Sequence, residues 1–267
     1  MRAAELTILD QIIVRKRAEL LNQQTIIGIE ELEGISRPPR RPFRSALESK
    51  QPAIIAEVKK ASPSAGVIAE NFDPAAIALS YEQGGAAALS VLTDQQFFQG
   101  SLDHLDEARQ ATRLPVLRKD FTLDRYHLLE AAAAGADAVL LIVAALPNFQ
   151  LRELLEQAEE LDLEALVEVH SEDELYRAID VGANLIGINN RNLKTLEVSL
   201  DTSLQLADKV PSTALWVSES GIRTPEDMKR LMDAGCRAFL IGESLMKQAD
   251  PGAALANLIE GARSLAS

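Results

Sequence analysis

Short apolar runs alternate with amphipathic stretches along almost the whole chain, and the alternation is periodic. Four phrases share one pattern: Gly85-Ala-Ala-Ala-Leu-Ser-Val91, Gly135-Ala-Asp-Ala-Val-Leu-Leu141, Gly182-Ala-Asn-Leu-Ile-Gly-Ile188 and Gly235-Cys-Arg-Ala-Phe-Leu-Ile241. Their glycines recur about every 50 residues, a spacing that marks repeated supersecondary units. Each glycine closes a helical pattern, such as 124–134 or 225–234, where a helix C-terminus takes a left-handed residue, and each leads into a strand. Four more apolar runs lie between them, at 54–58, 115–117, 165–169 and 215–217. Helical patterns at 74–83, 101–110, 148–160, 172–180 and 201–208 separate nearly all of these runs. Near-continuous apolar strands alternating with helices imply parallel pairing with both sheet faces covered. A doubly wound open sheet satisfies that much. Eight strands, at roughly 25 residues per strand–helix unit, favour closure into a (β/α)8 TIM barrel.

Ahead of the first strand, Ile8, Leu9, Ile12, Ile13, Leu20 and Leu21 form an apolar stripe, with Arg15, Lys16, Arg17 and Glu19 between them. That spacing predicts an amphipathic helix. The prolines of Ser36-Arg-Pro-Pro-Arg-Arg-Pro42 exclude regular structure there, and a second short helix is expected over 43–49. Residues 1–50 are read as a helical extension packed on a barrel of residues 51–267, in one structural domain. The extension either caps the N-terminal end of the barrel or helps to close over a substrate.

Composition narrows the function. Among 267 residues, 27 Lys and Arg face 40 Asp and Glu, a formal net charge of −13, which argues against a nucleic-acid partner. Cys236 is the only cysteine, so neither an intrachain disulfide nor a cysteine metal cluster is expected. Arg2, Glu5 and Asp10 interrupt the start, which lacks a signal-peptide core, and the most apolar window, 131–146, is too short to span a membrane. A soluble cytoplasmic monomer without a membrane partner is the expectation.

Candidate chemistry lies where the strands end, because barrels of this kind build their sites there. Strand 1 carries Glu57 and Lys59, two residues apart and therefore on one face; strand 3 ends in Lys119, strand 5 carries Glu168, and strand 7 ends in Glu219. A lone buried acid–base pair can be structural, but charges at the ends of four alternating strands are costly to bury and point to a site. His170 is the weakest candidate, since a histidine just past a strand is commonly solvated or locally bonded. Tyr126, His127 and His104 lie on helical stretches and are given no role. Ser220-Gly221 after strand 7, and Gly242-Glu243 after strand 8 at the start of a short helix over 243–247, have the makings of an anion site. The long loop opening Ser62-Pro63-Ser64-Ala65-Gly66 is read as a mobile cover, and 93–101, with Phe97, Phe98 and Gly100, as a second wall.

The stretches IIAEVKKASPSAG, SVLTDQQFFQGS, LPVLRKDF, ALVEVH, IGINNRNL, VSESGI and FLIGESLM resemble, in order and spacing, those of the indole-3-glycerol phosphate synthase family. The resemblance implies a tryptophan-pathway lyase that needs no cofactor or metal. Its small-molecule substrate would be 1-(2-carboxyphenylamino)-1-deoxyribulose 5-phosphate, converted to indole-3-glycerol phosphate, carbon dioxide and water. Lys119, Glu168, Glu57 and Lys59 would then be catalytic, without the sequence assigning each lysine to a step. Ser62, Phe98, Phe121, Asn189, Arg191, Glu219, Ser220, Gly221, Gly242 and Glu243 would bind substrate, Glu243 through its backbone N–H. Ala65 stands where many relatives carry a basic residue, and Gln99 where some carry Asn. Another phosphosugar barrel, such as phosphoribosylanthranilate isomerase, or a barrel retained as a non-catalytic scaffold, stays open as an alternative.

Overall fold

A computed structural model describes residues 7–266. Arg2 and Glu5, cited above against a leader sequence, lie outside the described residues. Eight parallel strands close into a barrel in the order 1-8-7-6-5-4-3-2. They are β1 (Ala53–Val58), β2 (Ala88–Leu92), β3 (Val116–Lys119), β4 (Ala138–Ile142), β5 (Glu164–Val169), β6 (Leu185–Asn189), β7 (Leu215–Glu219) and β8 (Ala238–Ile241). The chain is a (β/α)8 TIM barrel preceded by helices α1 (Ile8–Ile26), α2 (Ile29–Gly34) and α3 (Phe43–Glu48). Between the strands run α4 (Pro74–Gln83), α5 (Gln95–Phe98), α6 (Leu102–Ala111), α7 (Arg125–Ala133), α8 (Asn148–Glu160), α9 (Glu172–Asp180), α10 (Asp201–Leu206) and α11 (Pro225–Asp233). After β8 come α12 (Glu243–Met246) and α13 (Pro251–Ala266). Among the described residues no helix is long and apolar enough to cross a membrane.

Strand parity divides the core in two. On β1, Ile54, Ala56 and Val58 join the outer cluster shared with the helices, whereas Ala53 and Ile55 join the inner cluster of the barrel. The same alternation puts Leu117, Leu166 and Val217 inside with Ile55, one odd-numbered strand each, in the four-residue layering of such barrels. Two residues further along those four strands stand Glu57, Lys119, Glu168 and Glu219, so the layer above the apolar floor is entirely charged.

The two parts of the extension go to opposite ends. Phe43 and Leu47 of α3 are buried in the inner cluster and plug the N-terminal end of the barrel. Basic residues of the proline-rich stretch secure that end: Arg40 donates to the Ala136 carbonyl at 2.6 Å and Arg41 to that of Leu114 at 2.6 Å. Leu9 and Ile12 of α1, by contrast, are buried at the C-terminal mouth. Leu21, placed by the sequence in the apolar stripe of α1, is 66% exposed.

Three elements differ from expectation. The loop after β1 contains an antiparallel hairpin, Ala61–Ser62 with Gly66–Val67, because a turn at 63–65 lets the two ends pair. The wall after β2 includes the single helical turn α5, capped by the Asp94 side chain. Helix α13, absent from the sequence reading, packs between α4 and α11 and completes the outer ring.

Candidate active site

Lys119 is the hub of the charged layer. Its Nζ lies 2.7 Å from Glu168 Oε2 and 2.7 Å from Glu219 Oε2, bridging β5 and β7. Burial alone would favour the neutral amine, but Glu168, Glu219 and Glu57 outweigh it and hold Lys119 protonated. The two glutamates do not share the ammonium equally. Burial acts against the charge on both; at Glu168 the cations Lys119 and His170 prevail and keep its carboxyl below the usual range. At Glu219 burial prevails, with Glu168 opposing a second negative charge, and the carboxyl is pushed up to about 7. The pair therefore takes up a proton as pH falls through neutrality. Glu219 Oε1 is buried without a hydrogen-bond partner, and a Cβ at position 187 would overlap it. Gly187 is thus the clearance that admits the Glu219 carboxylate to the barrel axis.

Glu57 and Lys59, on one face of the first strand and the loop that follows, form a direct ion pair. Gly242 faces them: a Cβ there would collide with the Glu57 carboxylate. Its glycine is demanded first by an acidic neighbour, whatever anion it also admits. Ser220 is left-handed, with φ of 67°, and so is Gly221, with φ of 81°. The strained serine is held from behind, where Asn190 Nδ2 donates to the Ser220 carbonyl at 3.0 Å and to Ser218 Oγ at 3.0 Å. Glu243 is occupied by Lys247 at 2.6 Å and approaches Arg191 at 3.7 Å, which offsets the negative charge it brings. Asn189 Oδ1 accepts from the Arg191 N–H at 3.0 Å, fixing the turn that presents both side chains.

The remaining wall is apolar. Phe98 faces Phe121 with ring centroids 6.3 Å apart, and Ser62 edges the opposite rim. Together all fourteen residues selected from the sequence line one cavity of about 590 Å³. Ile8, Leu9 and Ile12 of α1 complete it. That helix is tied down by Lys16, whose Nζ lies 3.0 Å from Asp94 and 2.9 Å from Asp120, just beyond β2 and β3. Tyr126 and His127 are buried packing residues, and the His127 ring accepts the Leu123 N–H at 3.1 Å.

A sequence model of indole-3-glycerol phosphate synthase matches residues 9–258. The chain belongs to the indole-3-glycerol phosphate synthase family. The synthase of Polaromonas naphthalenivorans is 53% identical over 94% of this chain and 98% of its own length. That of Acidithiobacillus ferrooxidans is 50% identical over 94% and 98%. Among solved structures, 3-hexulose-6-phosphate synthase from Salmonella typhimurium superposes with a TM-score of 0.64 at 12% identity, over 80% of this chain and 99% of that one. Thiamine phosphate pyrophosphorylase from Pyrococcus furiosus gives 0.62 at 16%, over 81% and 98%. These two likenesses extend to the barrel fold.

Within this family member, sequence reasoning left the α1 wall as one of two alternatives and missed its Lys16 anchor and the buried contact of His170 with Glu168 at 3.2 Å. The signal for His170 was present: it follows Glu168 by two residues, as Lys59 follows Glu57.

Proposed function

We propose that this chain closes the indole ring of 1-(2-carboxyphenylamino)-1-deoxyribulose 5-phosphate, releasing carbon dioxide and water. The observation that carries the reading is Lys119, held protonated 2.7 Å from each of two carboxylates of unlike ionisation, at the centre of a cavity with an aromatic wall at Phe98 and Phe121. An ammonium so placed can protonate the ribulose carbonyl oxygen as the ring carbon bearing the carboxylate attacks it. The attack leaves a quaternary ring carbon next to an iminium cation, which the Glu168 carboxylate stabilises until carbon dioxide departs and the electron pair of the broken C–C bond neutralises it. Glu219, the neutral acid beside Lys119, can restore its proton. Dehydration then needs a base and an acid together, which Glu57 and Lys59 supply as a pair.

The substrate's charges find local partners. Ser220, Gly221, Gly242 and Glu243 are assigned to the phosphate through backbone N–H groups, and Arg191 with Lys59 to the carboxylate and phosphate charges. Asn189 takes a sugar hydroxyl, and Ser62 closes the rim. Condensation, decarboxylation and dehydration are redox-neutral, and the scheme calls on no cofactor or metal. We also propose a cytoplasmic monomer acting on a small molecule, without a membrane partner and, given the net charge of −13, without a nucleic-acid partner.

Mixing the purified protein with this substrate is expected to generate indole absorbance and fluorescence without added metal. Lys119→Met and Glu168→Gln are each expected to lower turnover by at least about 10²-fold, the low end for a positioned acid or base, with unchanged circular dichroism. No indole signal from the unaltered protein rejects the reaction; near-native turnover in both variants rejects the roles.

A further inference from the structure

His170 projects on the same side of β5 as Glu168, and the first turn of α9 closes over it. Its Nε2 lies 3.2 Å from Glu168 Oε1. On the other side Nδ1 lies 3.1 Å from Glu174 Oε2, and the same oxygen accepts the His170 backbone N–H at 2.7 Å. The imidazole is therefore clamped between a hydrogen bond to Glu174 and an ion-pair approach to Glu168, where the buried Nε2 lacks hydrogen-bond geometry. A cation at a helix N-terminus is ordinarily unfavourable, but this first turn carries Glu172, Asp173 and Glu174, and Glu174 is folded back onto the ring. Arg177 of the same helix is bonded away, to Asn148 and the Leu146 carbonyl. Glu168 is in turn paired with Lys119 of β3, which also pairs with Glu219 of β7. The clamp makes the two glutamates on Lys119 unequal: Glu168 has a second cationic neighbour, while the free oxygen of Glu219 is buried with no partner.

We propose that His170, oriented by Glu174, is a positioning residue whose charge holds Glu168 ionised beside Lys119, leaving Glu219 to take up the proton of the pair. The proposal deepens the ring-closing reaction and rests on Glu168 being its catalytic carboxylate. The electrostatics agree: burial opposes the imidazolium, yet Glu168 and Glu174 together lift His170 to about 9.

Two measurements test it. Imidazole NMR on the unliganded protein should show His170 titrating near pH 9 and falling by one pH unit or more in Glu174→Gln. Steady-state kinetics should show the acid limb of kcat/KM moving up by one pH unit or more in both His170→Ala and His170→Gln, with KM within about threefold of the parent. Neither Ala nor Gln carries a charge, so the limb should be displaced alike in both. A wild-type His170 titrating near 6.5, or an unmoved acid limb in both variants, overturns the proposal. The NMR arm stands even if the Ala variant fails to fold. Glu168→Gln is assayed alongside: near-native turnover there would instead remove the reading on which the proposal rests.

Discussion

A methyl group at position 187 would fall on Glu219 Oε1, and one at 242 on the Glu57 carboxylate. Both glycines shape the charged layer as directly as the residues they face. Gly187→Ala and Gly242→Ala are therefore expected to lower kcat about 10-fold or more, because displacing a catalytic group by about 1 Å can cost 10²-fold. Gly221→Ala should behave differently. Its φ of 81° disfavours a side chain and the added Cβ would meet Val198 at 2.6 Å, so the turn proposed for the phosphate must shift and KM should rise more than kcat falls. The split between kcat and KM checks the distinction; a pure KM effect at 187 and 242 would defeat it. Glu57, Lys119, Glu168 and Glu219 were legible as a set, because strand parity fixes which face each occupies. The clearance role of Gly187 was not, since it depends on which strand lies opposite.

Helix α1 shows what periodicity can and cannot convey. An apolar stripe states that one face is buried, and Leu9 and Ile12 are; it does not state against which end of a barrel. The anomaly was Lys16, a charge in the stripe's vicinity that the structure buries against Asp94 and Asp120. Burial disfavours the charge on Asp120, but Arg118 and Lys16, with a hydrogen bond from Thr93, overcome it and hold its carboxyl well below the usual range. Lys16→Met would leave two buried carboxylates short of a cation, and losing one member of a buried pair costs about 3–5 kcal/mol. The variant is expected to unfold at lower urea concentration and, because Leu9 and Ile12 wall the cavity, to show a raised KM. A loss of stability with an unchanged KM would mean that α1 supports the fold without shaping the site.

At the scale of the whole molecule, the net charge of −13 argues against a nucleic-acid partner yet says little about a proposed ligand that is itself anionic. Attraction must be local, from Lys59, Lys119, Arg191 and backbone N–H groups inside the mouth. Concentrating charge in the barrel also gives the fold a characteristic response to pH. Glu168 and Asp120 lie below their unfolded values, so their contribution is present above about pH 4.5 and is lost as pH falls through their folded values. Glu219 and His170 are displaced the other way. Their contribution is full below the unfolded values, near 4.5 and 6.5, and is lost as pH rises through about 7 and about 9. Burial and Arg118 hold His127 the other way, at about 3, so its contribution grows as pH rises toward 6.5 and offsets the loss at Glu219. Stability should therefore change little between about pH 4.5 and 6.5 and decline toward pH 9. Guanidinium unfolding at pH 5.5, 7 and 9 should trace that decline. Glu219→Gln should turn the acid part into a rise with pH, because the amide cannot ionise and the gain at His127 is left unopposed, and His170→Gln should flatten the decline above neutrality, because the amide keeps no charge to lose. A flat or rising profile in the parent protein between pH 5.5 and 9 would show that the mouth of the barrel takes in enough water to screen these charges.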